Sequence, residues 1–361
     1  MQFLTWLLLC LAAAIGEATT CTNPRVRKSW LALSNAEKLE YIRAVKCLDT
    51  LPSKGNYSAA RTRRDDWTAM HIFRSRPTVP SYIPGSTSMM QQPSNLAHKC
   101  RYIDPPSGAT RYYLLSFETA LIEECGYKGA QPYWDWTIWT PRNKRKFADS
   151  PIFDPTYGFG GNGVGQSSDG KASTGYDSRG GSCVTDGPFA NLTLTLGPGY
   201  NLSANPHCLK RKFFVLANDT YLGPEMITDV LKEKNYFDMI MAMTKSPDLS
   251  NPKRYGVHTT GHIGPGGEEA DFWSSPNDPI FVVHHANLDR VWDFWQDQAP
   301  ENLYAINGPT SMGRGLTRGP GNTTLDDMLE MSPDIAPNLP ARALMDSLNK
   351  NGKGISCVRY E

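Results

Sequence analysis

The chain lacks the marks of several large protein classes. Neither charge is in surplus: 37 Lys and Arg stand against 36 Asp and Glu, a formal net charge of +1. A near-neutral chain offers no electrostatic case for nucleic acid or for an acidic surface as partner. Apart from residues 3–15, no apolar run approaches the roughly 20 residues of a membrane helix. That one run is too short to span comfortably. With Gly16-Glu17-Ala18 behind it, it reads as a signal peptide covering residues 1–18, leaving a secreted chain of residues 19–361 with no membrane partner. No C-x-x-C occurs, which argues against a redox-active dithiol. Histidine is scarce as well, seven in 361 residues, so it matters that four of them fall within residues 257–296.

That stretch reads VHTTGHIGPGGEEADFWSSPNDPIFVVHHANLDRVWDFWQ. His258 and His262 stand four apart, which on a helix puts both on one face. After a Gly-rich loop, Pro276 and Pro279 break the chain, and Ser274, Ser275 and Asp278 are candidate caps for the next helix. This second helix carries His284 and His285, with Leu288, Val291, Trp292 and Trp295 as its buried stripe. Three imidazoles from two helices suit copper or zinc. Each part alone has a plainer reading, since HxxxH is often a solvated pair and a His-His pair before an aromatic helix can be core packing. The zinc-protease motif is excluded because Thr259 stands where its general base would be. The combination HxxxH, GG, SPxDPxF, HHxxxDRxWxxWQ is far more specific. It resembles the CuB half of the tyrosinase family, the type 3 dicopper proteins also called polyphenol oxidases, in their short secreted fungal form.

The resemblance implies a mainly α fold. A central four-helix bundle would carry the copper site, with long Gly/Pro-rich loops and little β structure. Periodicity alone supports helices joined by long loops. By the same resemblance CuB would be held by His258, His262 and His285, with His284 as the fallback for the third place. CuA would use His71, in the helical segment RRDDWTAMHIF, and His98. The family's third CuA ligand lies in a Trp-His-Arg-Tyr motif, and here the chain reads Ala109-Thr110-Arg111-Tyr112. A neutral hydroxyl is a poor copper donor beside an imidazole. Residues 74–109 also lack periodicity and read as an anomalous insert. Two accounts fit: a ligand truly lost, or a gene-model artefact in which intron is read as coding. The second also explains an odd cysteine, Cys100.

The activity implied is oxidation of o-diphenols, and of monophenols after hydroxylation, to o-quinones. Two copper ions would each supply one electron to dioxygen, so the partners are a small phenol and O2. A degenerate relative with CuB alone is the alternative. A haemocyanin-type oxygen carrier is a third, disfavoured by a single domain without repeats. Asp289, four after His285, is expected to accept a hydrogen bond from a ligand ring, and Phe281 resembles the family's aromatic at the floor of the site. Thr259 and Ile263 would shape substrate access. His207, beside Cys208, reads as a non-ligand, and residues 132–136, PYWDW, read as core packing with Asp135 hydrogen-bonded. Nothing in the sequence sets the oligomeric state.

Elsewhere, Ser34 is expected to cap a helix whose Leu39, Ile42, Val45, Lys46 and Leu48 follow a 3.6 period. Residues 224–243 suggest one helix, and residues 325–331 and 341–349 two short ones, while 151–206 read as long loops. Setting aside Cys10 and Cys100 leaves six cysteines. Cys21–Cys357, Cys47–Cys125 and Cys183–Cys208 is one pairing among those the sequence permits. Asn56, Asn191, Asn201, Asn218 and Asn322 head glycosylation sequons.

Overall fold

Ser34 opens the first helix with a reciprocal cap. Its hydroxyl accepts from the Glu37 N–H at 3.3 Å, while the Glu37 carboxylate accepts from the Ser34 N–H at 2.7 Å. In this computed structural model, which describes residues 20–75, 108–165, 180–244, 255–309 and 321–361, that helix is α1, Asn35–Leu48. Its buried face is Lys38, Tyr41, Ile42, Ala44, Val45 and Leu48; Leu39, 45% exposed, and Lys46 point outward, so the inward stripe is shifted from the one the sequence suggested. The leader, His98 and Cys100 lie outside the described residues, as do residues 76–107 of the anomalous segment.

The fold is mostly helical. After α1 come α2 (Arg63–Ser75), α3 (Gly108–Cys125), α4 (Val215–Tyr221), α5 (Pro224–Leu231), α6 (Tyr236–Thr244), α7 (Val257–Ile263) and α8 (Ile280–Gln296). The single helix expected over 224–243 is two, because Asn235 restarts the chain: its side-chain oxygen accepts from the Asp238 N–H at 3.0 Å, the cap of α6. Strands are short and paired. β1 (Arg25–Arg27) runs parallel to β8 (Val358–Tyr360); β2 (Ser182–Cys183) pairs with β5 (Lys210–Arg211), β3 (Thr193–Leu194) with β4 (His207–Cys208), and β6 (Met328–Leu329) with β7 (Leu339–Pro340). β6 replaces the helix expected near 325–331, because the Pro-rich chain turns back and pairs with it. The helix expected over 341–349 stops as a 3-10 turn, Ala341–Leu344. The Asp346 side chain takes the Leu348 and Lys350 N–H groups for itself.

Three disulfides join Cys21 to Cys357, Cys47 to Cys125 and Cys183 to Cys208. The first lies beside the β1–β8 pair, so the two ends of the described chain are tied twice.

Helices α3 and α7 both pack on α8, and α1 packs on α3. The Phe281 ring on α8 is where four helices meet: it lies 5.4 Å from His71 on α2, 5.4 Å from Tyr113 on α3 and 5.8 Å from His262 on α7. This is the helical bundle that carries the site. A buried ionic network braces it from one side. The Asp289 carboxylate on α8 accepts from Arg111 Nε at 2.6 Å, from Arg27 at 3.3 Å and from the Tyr360 hydroxyl at 2.6 Å, and Arg27 also donates to Glu118 at 2.7 Å. Arg111 and Glu118 belong to α3, Asp289 to α8, Arg27 to β1 and Tyr360 to β8. The contacts therefore lock those four elements together.

Candidate metal centre

α7 is only two turns long, and it places His258 and His262 on the face turned to α8. From α8 comes His285, whose ring stacks on Phe281 at 3.9 Å, one turn earlier on the same helix. His258, His262 and His285 are all buried, and one ring nitrogen from each lies within 4.8 Å of the others. The nitrogens of the α7 pair, His258 Nε2 and His262 Nε2, are 3.2 Å apart. A metal–imidazole bond of about 2 Å sets neighbouring ligand nitrogens about 3 Å apart, so this spacing fits what a metal would need of the pair.

The far sides of two rings are held by acceptors. His285 Nδ1 faces the Phe281 carbonyl at 2.9 Å. His262 Nδ1 faces the Glu269 carbonyl at 3.0 Å and the Glu269 carboxylate at 3.1 Å. An acceptor at Nδ1 fixes the proton there and leaves Nε2 as the donor atom. Three buried imidazoles with converging ring nitrogens are a donor set that suits copper.

One expectation changes at this point, and one residue is added. Asp289 does not touch a ligand ring: its carboxylate is spent on Arg111, Arg27 and Tyr360, because two buried guanidinium groups outcompete an imidazole for it. The carboxylate beside one of the three rings is that of Glu269, which is fully buried. Sequence reasoning passed over it because it sits seven residues beyond His262 in the GGEEAD loop, where no helical spacing relates the two. That loop turns back under α7, and Gly267 makes the turn possible. Its backbone has φ +60°, and a Cβ there would lie 2.0 Å from the Lys210 carbonyl.

The other histidines separate cleanly. His284 is buried, with its ring centroid 4.9 Å from that of His262, 5.0 Å from that of His285 and 6.1 Å from that of His258, yet both its nitrogens are engaged elsewhere: Nδ1 with the Trp136 indole N–H at 3.2 Å and Nε2 with the His258 carbonyl at 3.1 Å. Burial, and then the neighbouring rings of His262, His285 and His258, push its pKa well below the ordinary value. His207 lies on β4, between the Asn205 carbonyl and the Glu268 carboxylate, away from the group. His71 is buried on α2 with Nδ1 2.6 Å from the Trp273 carbonyl, but its ring meets Phe281 and does not join the three. Thr110 is 2% exposed in the first turn of α3.

The remaining expectations fall into place around these. Trp134 and Trp136 are core residues, and Asp135 accepts from the Thr137 N–H and hydroxyl. Ile263 packs with Phe214, Ala217 and Tyr255, and Thr259 donates to the Thr244 carbonyl at 2.7 Å. Asp278, a candidate cap, does accept from the first-turn Ile280 N–H at 3.0 Å, while its two oxygens also take a forked pair of bonds from Arg211. Arg64 reaches the Pro276 and Asn277 carbonyls. Both arginines fix the loop that aims α8.

Comparison with known proteins agrees with this geometry. The profile described as the common central domain of tyrosinase matches residues 111–298. A tyrosinase of Aspergillus flavus is 32% identical, over 98% of this chain and 85% of its own length. An N-acetyl-6-hydroxytryptophan oxidase of Emericella nidulans is 30% identical over 98% of both chains. A polyphenol oxidase variant from Thermothelomyces thermophila, known by structure, is 28% identical and superimposes with a TM-score of 0.71, covering 94% of this chain and 89% of that one. The family profile spans just over half of the chain, and the chain belongs to the tyrosinase family.

Proposed function

We propose that this protein is a secreted, copper-dependent phenol oxidase. It converts o-diphenols, and monophenols, to o-quinones with dioxygen, with one copper held by His258, His262 and His285. The observation that carries this reading is the convergence of three buried imidazoles from α7 and α8 within 4.8 Å. Secretion is supported by the apolar leader and by three disulfides, which persist in oxidising compartments.

The chain's own residues have definable tasks. His258, His262 and His285 present Nε2 to the metal. The Phe281 carbonyl and Glu269 hold the opposite nitrogens protonated, and Phe281 walls the ligand rings off from α2 and α3. Copper, when bound, supplies the one-electron steps that couple phenol oxidation to reduction of dioxygen. On this reading His71, which meets Phe281 from α2, and His98 would serve a second copper.

A second reading is favoured by one observation. Thr110, a weak donor, occupies the place of a family ligand on α3, and among the described residues only one group of three ligands forms. In that case the protein holds a single copper and turns over phenols poorly. Copper per chain and catechol-dependent oxygen uptake, measured on the same sample, separate the two. Two coppers with turnover support the oxidase, and one copper without turnover supports the degenerate form. A sample that takes up no copper at all overturns both.

A further inference from the structure

The histidine beside the third ligand has a job of its own. The Trp136 indole N–H can only donate, so His284 Nδ1, 3.2 Å away, must accept and carries no proton. The His258 carbonyl can only accept, so His284 Nε2, 3.1 Å away, must donate and carries the proton. Both partners are one-way groups, and the ring is fixed as a single neutral tautomer. His284 thereby connects three elements: the segment after α3 through Trp136, α8 through its own backbone, and α7 through the carbonyl of a proposed ligand.

The packing shows that this link is built in. A Cβ at Gly261 would fall 2.0 Å from His284 Cε1 and 2.4 Å from Nδ1, closer than real atoms approach. Gly261 therefore makes the space in which the imidazole reaches α7. The His284 ring lies parallel to that of His258 with centroids 6.1 Å apart, and its nitrogens go to the Trp136 indole and the His258 carbonyl.

We propose that His284 is a positioning residue for the metal site: held as the Nε2–H tautomer between Trp136 and the His258 carbonyl, it sets the separation of α7 from α8, and with it the geometry of His258 and His262 against His285. The proposal rests on the three-histidine reading of the site. It assigns the two adjacent histidines opposite tasks, one at the metal and one bracing the helices.

The test compares His284→Gln with His284→Leu. The glutamine amide offers one acceptor and one donor in similar places, whereas leucine offers neither and leaves the buried Trp136 N–H without its acceptor. Copper(I) affinity is read by anaerobic competition with a chelator. His284→Gln is expected to stay within about threefold of the parent, and His284→Leu to weaken about 10- to 100-fold, as loss of an outer hydrogen-bond partner does. Copper per chain at saturation stays equal in all three. In parallel, nitrogen-15 NMR of the parent, assigned by difference from His284→Gln, should show one bare and one protonated ring nitrogen for His284, unchanged when copper(I) is added.

Loss of copper stoichiometry in His284→Gln, or a copper-induced change at the His284 nitrogens, would make it a ligand and overturn the proposal. Equal affinity in all three proteins would overturn it too. If His284→Leu does not fold, Gly261→Ala takes its place, since it displaces the ring without removing a polar group and should weaken copper(I) similarly. A parent protein that takes up no copper defeats the three-histidine reading instead, and the NMR pattern of the metal-free protein still decides whether the tautomer is fixed.

Discussion

Glu269 Oε1 lies 3.1 Å from His262 Nδ1, with the carboxylate wholly buried and the imidazole nearly so. A carboxylate in that place raises the basicity of the opposite nitrogen and holds the ring in one orientation. Glu269→Gln keeps the shape and removes the charge. Copper affinity should fall about 10- to 100-fold with little change in the thermal midpoint of the metal-free protein. An unchanged affinity would show that the Glu269 carbonyl, 3.0 Å from the same nitrogen, suffices alone.

Asp289 should behave in the opposite way. Its carboxylate compensates Arg111 and Arg27, both buried, and Tyr360 donates to it as well. Asp289→Asn leaves two guanidinium groups short of charge in the interior. Breaking a buried pair of this kind costs about 3–5 kcal/mol. Denaturant unfolding of the metal-free protein should show that loss, while any folded fraction retains copper affinity within about threefold, because Asp289 touches no ligand. A large affinity loss with intact stability would contradict the assignment.

These two carboxylates also mark how far the sequence could be read. The HxxxH and HH motifs, the apolar stripe of α8 and the Ser34 cap are local signals, set by helical spacing, and each falls where spacing puts it. Glu269 reaches His262 through a loop, and Asp289 is claimed by Arg27 from more than 260 residues away. Such choices depend on which charges the fold brings together, and no periodicity records them. The division of residues 224–243 into α5 and α6 was legible in principle: Asn235, with Asp238 three residues on, is a capping pattern that follows the charged Lys232-Glu233-Lys234. Thr110 was legible as a departure from the family motif. Residues 76–107, with His98 among them, lie outside the described residues.

A pH effect is expected at His207, which is not one of the three grouped histidines. Its hydrogen bond to Glu268 raises its pKa, burial opposes, and the Asn205 carbonyl adds to the rise. A raised folded-state pKa means that the folded protein holds the proton more tightly than the unfolded chain. The stabilisation is therefore complete below the ordinary histidine value of about 6.5 and is lost as pH rises through the higher folded value. The stability difference between the parent and His207→Gln should be largest in mildly acidic buffer and shrink as pH rises. A difference that grows with pH would reverse the sign and rule out the Glu268 contact as its source.

The five sequons should not be equivalent. Asn56, Asn191, Asn201 and Asn322 are exposed, but Asn218 is fully buried on α4, where its amide donates to the Phe214 carbonyl at 3.1 Å and its oxygen crowds Gly264. A sugar on that nitrogen has no room in the folded molecule. Peptide mapping of folded protein secreted from a eukaryotic host should find Asn218 unmodified, whatever the occupancy of the others. A glycan there would mean that α4 does not pack with Asn218 inward.

Thr110 offers the most direct test of the second copper. It lies one helical turn before Tyr113 on α3, so the two share a face, and the Tyr113 ring meets Phe281 at 5.4 Å. His71 meets the same ring from α2. An imidazole at position 110 would thus share the α3 face whose Tyr113 meets Phe281, and would add a strong donor where a hydroxyl is a weak one. Thr110→His is expected to raise the bound metal by about one copper per chain, with catechol-dependent oxygen uptake rising in step. If copper and turnover both stay at the parent level, position 110 is no part of a second site. A parent that already holds two coppers would show that other residues complete that site. The spliced transcript across residues 72–111 then distinguishes the origins of the threonine: a message encoding the segment unchanged makes it a true replacement, and one lacking it makes the segment an artefact of the gene model.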